Sequence, residues 1–121
     1  TTARIIKELI SMWPESPKVY IVPTDGFLFK NKELEKRGIM LRKGFPESYD
    51  LRAMINFLYQ VKSGNRSIEI PQYSHLVYDI TEEKTLINEP DVIIFEGLNV
   101  LQTHTKTLSA DGPDLMVSVF F

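Results

Sequence analysis

Val19-Tyr20-Ile21-Val22-Pro23-Thr24-Asp25-Gly26 joins a compact apolar run to a carboxylate and a glycine. Val19–Val22 is rich in β-branched and aromatic residues, which suits a strand buried on both faces. A second stretch repeats this arrangement, with Val92-Ile93-Ile94-Phe95 running into Glu96-Gly97. Helical patterns precede and separate the two runs. Ala3, Ile6, Leu9, Ile10 and Trp13 recur at helical spacing and predict a helix over 2–13, ended by Pro14 and Pro17. Leu51, Met54, Ile55, Leu58 and Val61 predict another, with Ser48 or Asp50 as its cap and Gly64 as its stop. Buried strands alternating with helices point to an α/β fold with a mainly parallel sheet. In such folds ligands gather at the carboxyl ends of the strands.

The rest of the chain is less regular. A short charged helix is expected over 31–37, closed by Gly38, followed by an irregular segment to residue 49. Residues 68–88 read as short strands at 68–70, 76–80 and 85–87, with Thr81-Glu82-Glu83-Lys84 as a hairpin turn between the last two. Residues 115–121 are a further strand candidate. Trp13 and the methionines are expected to pack in the core.

Composition narrows the function classes. The 121 residues are 43% hydrophobic, 25% charged and 11% aromatic, enough for one domain with a core. The net charge is −2, the pI about 5.7, and no basic stripe exists, which argues against nucleic acid as a partner. There are no cysteines, which excludes disulfides and thiolate metal sites. The apolar runs are too short to span a membrane, and no signal-peptide pattern is present, so a cytoplasmic protein is expected. The chain opens without Met in a helical pattern and closes in an apolar run. The expectation is a partial domain over residues 1–121, cut at both ends.

Asp25 and Glu96 stand where the two buried strands end. A carboxylate there can take a proton from a substrate hydroxyl or hold Mg²⁺. Asp-Gly between apolar runs equally signals a hairpin, with Phe27-Leu28-Phe29 as the returning strand, and Glu-Gly equally signals a solvated turn. Tyr73 and His75, beside a turn, can give directional hydrogen bonds to a small polar ligand, or pack on the core and face water respectively. His75 and His104 lack acidic or cysteine neighbours at zinc-ligand spacing. Arg37, Arg42 and Lys43 flank the irregular segment and read as a solvated loop. Arg4 lies in the first turn of a helix, where the helix dipole disfavours a cation, which hints at an anionic partner.

Four strings, in order, resemble the bacterial (type I) pantothenate kinases. They are Thr24-Asp25-Gly26-Phe27-Leu28, Lys43-Gly44-Phe45-Pro46-Glu47-Ser48-Tyr49-Asp50, Pro71-Gln72-Tyr73-Ser74-His75-Leu76, and Phe95-Glu96-Gly97-Leu98-Asn99-Val100-Leu101. The resemblance runs from Thr1 to about Ser118, and at Val119 the family usually shows Asp. Uridine kinases and phosphoribulokinases are similar in plan. The resemblance implies a three-layer P-loop-kinase-like α/β fold and transfer of the γ-phosphoryl of ATP to the hydroxyl of pantothenate, with Mg²⁺, the first step of coenzyme A synthesis. It implies a homodimer and feedback inhibition by coenzyme A. Asp25 matches the family's catalytic base, and Tyr73 and His75 match residues that hold pantothenate. Glu96 matches an acidic group near Mg²⁺, and Arg4 a basic residue near the phosphates of the nucleotide or coenzyme A.

In the family, the segment matching Thr1-Thr2-Ala3-Arg4 follows a Gly-rich loop ending Gly-Lys-Ser. No such loop occurs in these 121 residues. The P-loop strand of the fold is therefore expected to be missing, the sheet incomplete, and the chain by itself inactive. By the same likeness, the strand at 18–22 is expected to pair with that at 92–95. The alternatives are a non-catalytic binding domain that kept the sheet and lost the loop, and a uridine-kinase-like enzyme.

Overall fold

A computed structural model describes residues 1–98. The strand candidate at 115–121 and His104 lie outside the described residues. In chain order the elements are α1 (Thr2–Ser11), β1 (Val19–Pro23), a 3-10 turn (Thr24–Phe27), α2 (Asn31–Lys36), two further 3-10 turns (Met40–Arg42 and Pro46–Ser48), α3 (Leu51–Lys62), β2 (Ser67–Ser74), β3 (Asp79–Asn88) and β4 (Val92–Glu96).

β1 and β4 form a parallel pair in the register Val19↔Val92 through Pro23↔Glu96. The pairing expected from sequence is present. Tyr20 and Asp91 tie this pair to its surroundings. The Asp91 carboxylate accepts the Lys18 amide at 2.7 Å, and the Tyr20 hydroxyl donates to the Asn88 carbonyl at 3.2 Å. β2 and β3 form a separate antiparallel pair, whose register shifts between Pro71 and Tyr73. Pro71 has no amide hydrogen to give to the ladder, and such an irregularity bends the strand and re-aims the side chains beyond it.

The core lies where α3, the 3-10 turn at 24–27, and both sheets meet. Val22, Phe27, Tyr49, Met54, Phe57, Ile68, Ile70 and Ile87 are buried there. Phe27, Phe57 and Phe95 form an aromatic triad with ring centroids 5.7–6.1 Å apart. Their tilted and edge-on geometries are the favoured ones for aromatic rings. One ring comes from the turn after β1, one from α3 and one from β4, so the triad fixes the turn relative to the sheet.

The hairpin differs from the sequence expectation. The turn falls at His75-Leu76-Val77-Tyr78, not at 81–84, and residues 76–78 are not a strand. Leu76 is 97% exposed and Val77 63%. The polar run Thr81–Lys84 mimics a turn because the outer face of β3 is solvated, so its side chains need no apolar partners. The Asp25-Gly26 hairpin is also absent. Those residues form a 3-10 turn, and Leu28 bridges Tyr49 rather than returning along β1. α1 stops at Ser11, and Trp13 and Met12 are exposed at 56% and 80%, not packed in the core. Of the α1 residues only Ala3 is buried; the helix packs on β1 and β4, while Ile5 and Leu9 stay exposed among the described residues.

α3 shows the local code at work. Asp50 stands just before the helix, and its carboxylate accepts the Ala53 amide at 3.0 Å, filling one of the unpaired donors of the first turn. Gly64 follows the last turn with φ +75°. Asp50→Ala is expected to lower stability by about 1 kcal/mol, as for other N-cap losses, measured by urea unfolding.

Candidate active site

The turn that follows β1 is held against β2 by a close backbone approach. A Cβ at Gly26 would stand 2.5 Å from the Pro71 carbonyl oxygen, nearer than real Cβ atoms come. Only glycine permits the contact. It brings Asp25 beside the end of β2, where Tyr73 and His75 lie. His75 Nε2 and Asp25 Oδ2 are 3.8 Å apart. That is beyond hydrogen-bond reach, so each keeps capacity for a ligand. The Asp25 side chain is 37% exposed, and that of His75 81%.

Tyr73 is half-buried against the core, with His75 edge-on to its ring at 5.0 Å and Tyr78 at 6.3 Å. The two readings of Tyr73, core packing and ligand contact, are therefore compatible: its ring packs while its edge faces the site. Burial, with nearby Tyr78, Asp25 and Asp79, holds the Tyr73 phenol above its usual range, so it stays a hydrogen-bond donor at neutral pH.

Lys43 belongs to this cluster. Its ammonium lies 3.9 Å from the Tyr78 ring centroid and 4.9 Å from that of Tyr73. Burial lowers its pKa, opposed by the charges of Asp79 and Asp25. The solvated-loop reading holds for Arg37 and Arg42, which pair with Glu33 and Glu47 in exposed positions. It fails for Lys43. The sequence signal was present, because Lys43 opens the string Lys-Gly-Phe-Pro-Glu-Ser-Tyr-Asp, but nothing local distinguishes it from its neighbour Arg42.

Glu96 ends β4 opposite Pro23, at the same end of the sheet as Asp25, and is partly exposed. Beyond it, Gly97 has φ +150°, and a Cβ there would fall 1.7 Å from Thr24 Oγ1. The two strand exits thus touch. Thr24 is fully buried and its hydroxyl has no hydrogen-bond partner among the described residues. The described residues contain no cluster of three or more His, Asp or Glu able to hold a metal ion. A single carboxylate at a strand end fits Mg²⁺ only as one ligand among water and phosphate oxygens, which is how that ion is commonly held. Arg4 is exposed in the first turn of α1, and no described hydrogen bond or ion pair joins it to Asp25, Tyr73 or His75. No helix among the described residues is long and apolar enough to cross a membrane.

Gly26→Ala is expected to force the turn off β2 and cost about 1–3 kcal/mol, as overpacking does, seen as a lowered unfolding midpoint.

The model of the phosphoribulokinase / uridine kinase family matches residues 20–120. A protein named pantothenate kinase from Rhizobium rhizogenes is 55% identical over 124 residues, covering 100% of this chain and 37% of that protein. Another so named, from Brevibacillus brevis, is 63% identical over 103 residues, covering 84% of this chain and 32% of that protein. The chain therefore spans about a third of the length of these relatives. Among solved structures, one described as a fructose transport system kinase from Silicibacter sp. TM1040 superposes with a TM-score of 0.70 at 25% identity, over 78% of this chain and 45% of that one. The α/β architecture with a parallel strand pair is thus a kinase fold, of which the described residues form part of the sheet.

Proposed function

The chain belongs to the phosphoribulokinase / uridine kinase family, and we propose that it forms the acceptor side of the active site of an ATP-dependent pantothenate kinase. One observation carries the reading: the turn after β1 sets Asp25 against the Tyr73–His75 pair at the carboxyl end of a parallel strand. The likeness to proteins named pantothenate kinase supports pantothenate as the acceptor. Homodimer assembly and feedback by coenzyme A belong to the same reading.

In this reading Asp25 orients the attacking hydroxyl and takes its proton as the oxygen bonds to the γ-phosphorus and the bond from that phosphorus to the β,γ-bridging oxygen breaks, releasing ADP. Asp25 is exposed enough to receive a substrate and makes no hydrogen bond to His75 that a substrate would have to break. Tyr73 donates from its phenol, and His75 adds a directional contact from the hairpin tip. Phosphoryl transfer asks a protein chiefly for positioning and charge neutralisation, so holding the hydroxyl in line accounts for much of what this side contributes. Mg²⁺, when bound, supplies positive charge to the phosphates, and Glu96 would be its ligand from this chain. Arg4 would meet the phosphates of the nucleotide or of coenzyme A.

Asp25→Asn, in the full-length protein carrying this segment, is expected to lower kcat by about 100-fold or more, the range of a lost general base. The KM for ATP stays within about twofold, because the carboxylate acts on the acceptor. Near-normal kcat would remove Asp25 from the base role. His75→Ala is expected to raise the KM for pantothenate by roughly tenfold, the equivalent of one good hydrogen bond. An unchanged pantothenate KM would count against His75.

A further inference from the structure

Lys43 is built into the site through contacts that the base and the acceptor residues do not explain. Its ammonium donates to Asn31 Oδ1 at 2.6 Å and to the Tyr78 carbonyl. Asn31 in turn donates from Nδ2 to the same Tyr78 carbonyl at 2.8 Å. The Asn31 backbone amide, first in α2, donates to Asp79 Oδ1 at 2.9 Å, and Ile80 N–H donates to the same oxygen at 2.8 Å. Lys30, which caps α2 without a side-chain bond, adds an ion pair to Glu82 at 2.8 Å. Asp79 thus takes the place of the missing local cap from across the chain. The network joins the start of α2, the link between the 3-10 turns at Met40–Arg42 and Pro46–Ser48, and the hairpin tip.

Backbone strain lies at the atom these bonds grip. Tyr78 has φ +55°, a left-handed conformation that a bulky side chain adopts only when its surroundings enforce it. Its carbonyl is the atom that Lys43 and Asn31 both grip. The strained turn begins at His75, and its far strand pairs Tyr73 with Ile80 directly beyond Asp79. The apolar side chains of the turn cannot hold it, because Leu76 and Val77 are exposed.

We infer that Lys43, Asn31 and Asp79 form a polar latch that fixes the β2–β3 hairpin tip on α2 and so positions Tyr73 and His75 in front of Asp25. Lys43 and Asn31 are positioning residues here. Their effect on the acceptor passes through the hairpin. The inference rests on the proposed acceptor site for its consequence, while the latch itself is a statement about conformation.

The test uses the full-length protein carrying this segment, with Lys43→Met, Asn31→Ala and the double variant. Met keeps the length and apolar stem of Lys43 and removes its donors. Each single variant is expected to raise the KM for pantothenate about tenfold, the equivalent of one charge-assisted hydrogen bond, with kcat and the KM for ATP within about twofold. The double variant is expected to be no worse than the worse single, because both act through one latch. Multiplying effects in the double variant, or an unchanged pantothenate KM in Asn31→Ala, overturn the inference. A loss confined to kcat in Lys43→Met also overturns it, since that places the ammonium at the transferring group. A substrate-free readout separates this from the functional reading. Amide hydrogen exchange at Asn31 and Ile80 is expected to quicken in Lys43→Met, and unchanged protection there overturns the latch even if the wild-type protein phosphorylates pantothenate. If the wild-type protein leaves pantothenate untouched, the acceptor assignment falls and the exchange result alone decides the latch.

Discussion

The close approach of Gly26 to the Pro71 carbonyl governs the geometry of the site. It joins two sheets that share no strand pairing: the parallel pair that ends in Asp25 and Glu96, and the hairpin that carries Tyr73 and His75. A side chain at residue 26 would push them apart by more than the packed core tolerates, because interiors are packed near crystal density. The aromatic triad of Phe27, Phe57 and Phe95 backs the contact from the other side. Asp25 is followed at once by the glycine contact at Gly26 and the aromatic anchor at Phe27, so its carboxylate is presented on a rigid base although it sits in a turn.

A second glycine contact does the same for the other strand exit. Gly97 presses on Thr24, and the buried Thr24 hydroxyl is left without a partner among the described residues. An unpaired buried hydroxyl costs roughly 1–3 kcal/mol, a cost tolerated chiefly where function or tight geometry demands it. Both carboxylates of the sheet end therefore lie next to contacts that only a residue without a Cβ permits. The arrangement favours position over stability, which is the usual balance at catalytic sites.

Charge in the site is arranged by burial. Lys43 loses water to the Tyr73 and Tyr78 rings, and its ammonium is retained by carbonyl oxygens and by the fields of Asp25 and Asp79. A lysine in this setting holds two elements together more firmly than an exposed ion pair such as Arg37–Glu33, where water screens the attraction. Arg42 and Lys43 are neighbours in sequence with similar chemistry. One lies in solvent beside Glu47 and the other enters the site.

The sequence by itself determined the elements whose physics is local. Val19–Val22 and Val92–Phe95 are continuous apolar runs of strand length, so the two strands and the α/β class were legible, while their pairing was legible only through the family likeness; among the described residues β4 is only partly covered. The cap at Asp50 and the stop at Gly64 were legible because capping depends on residues within one turn. So were Asp25 and Glu96 as strand-end carboxylates. The tertiary structure decided what depends on distant partners. The hairpin turn lies at 75–78 because a solvated outer face lets Thr81–Lys84 be strand, and because Lys43 and Asn31 hold a strained Tyr78 from far along the chain. Asp25-Gly26 became a 3-10 turn instead of a hairpin because Pro71 lies against it. Long-range contacts of this kind leave no periodicity in the sequence, since the residues that make them are set by where two separate elements meet.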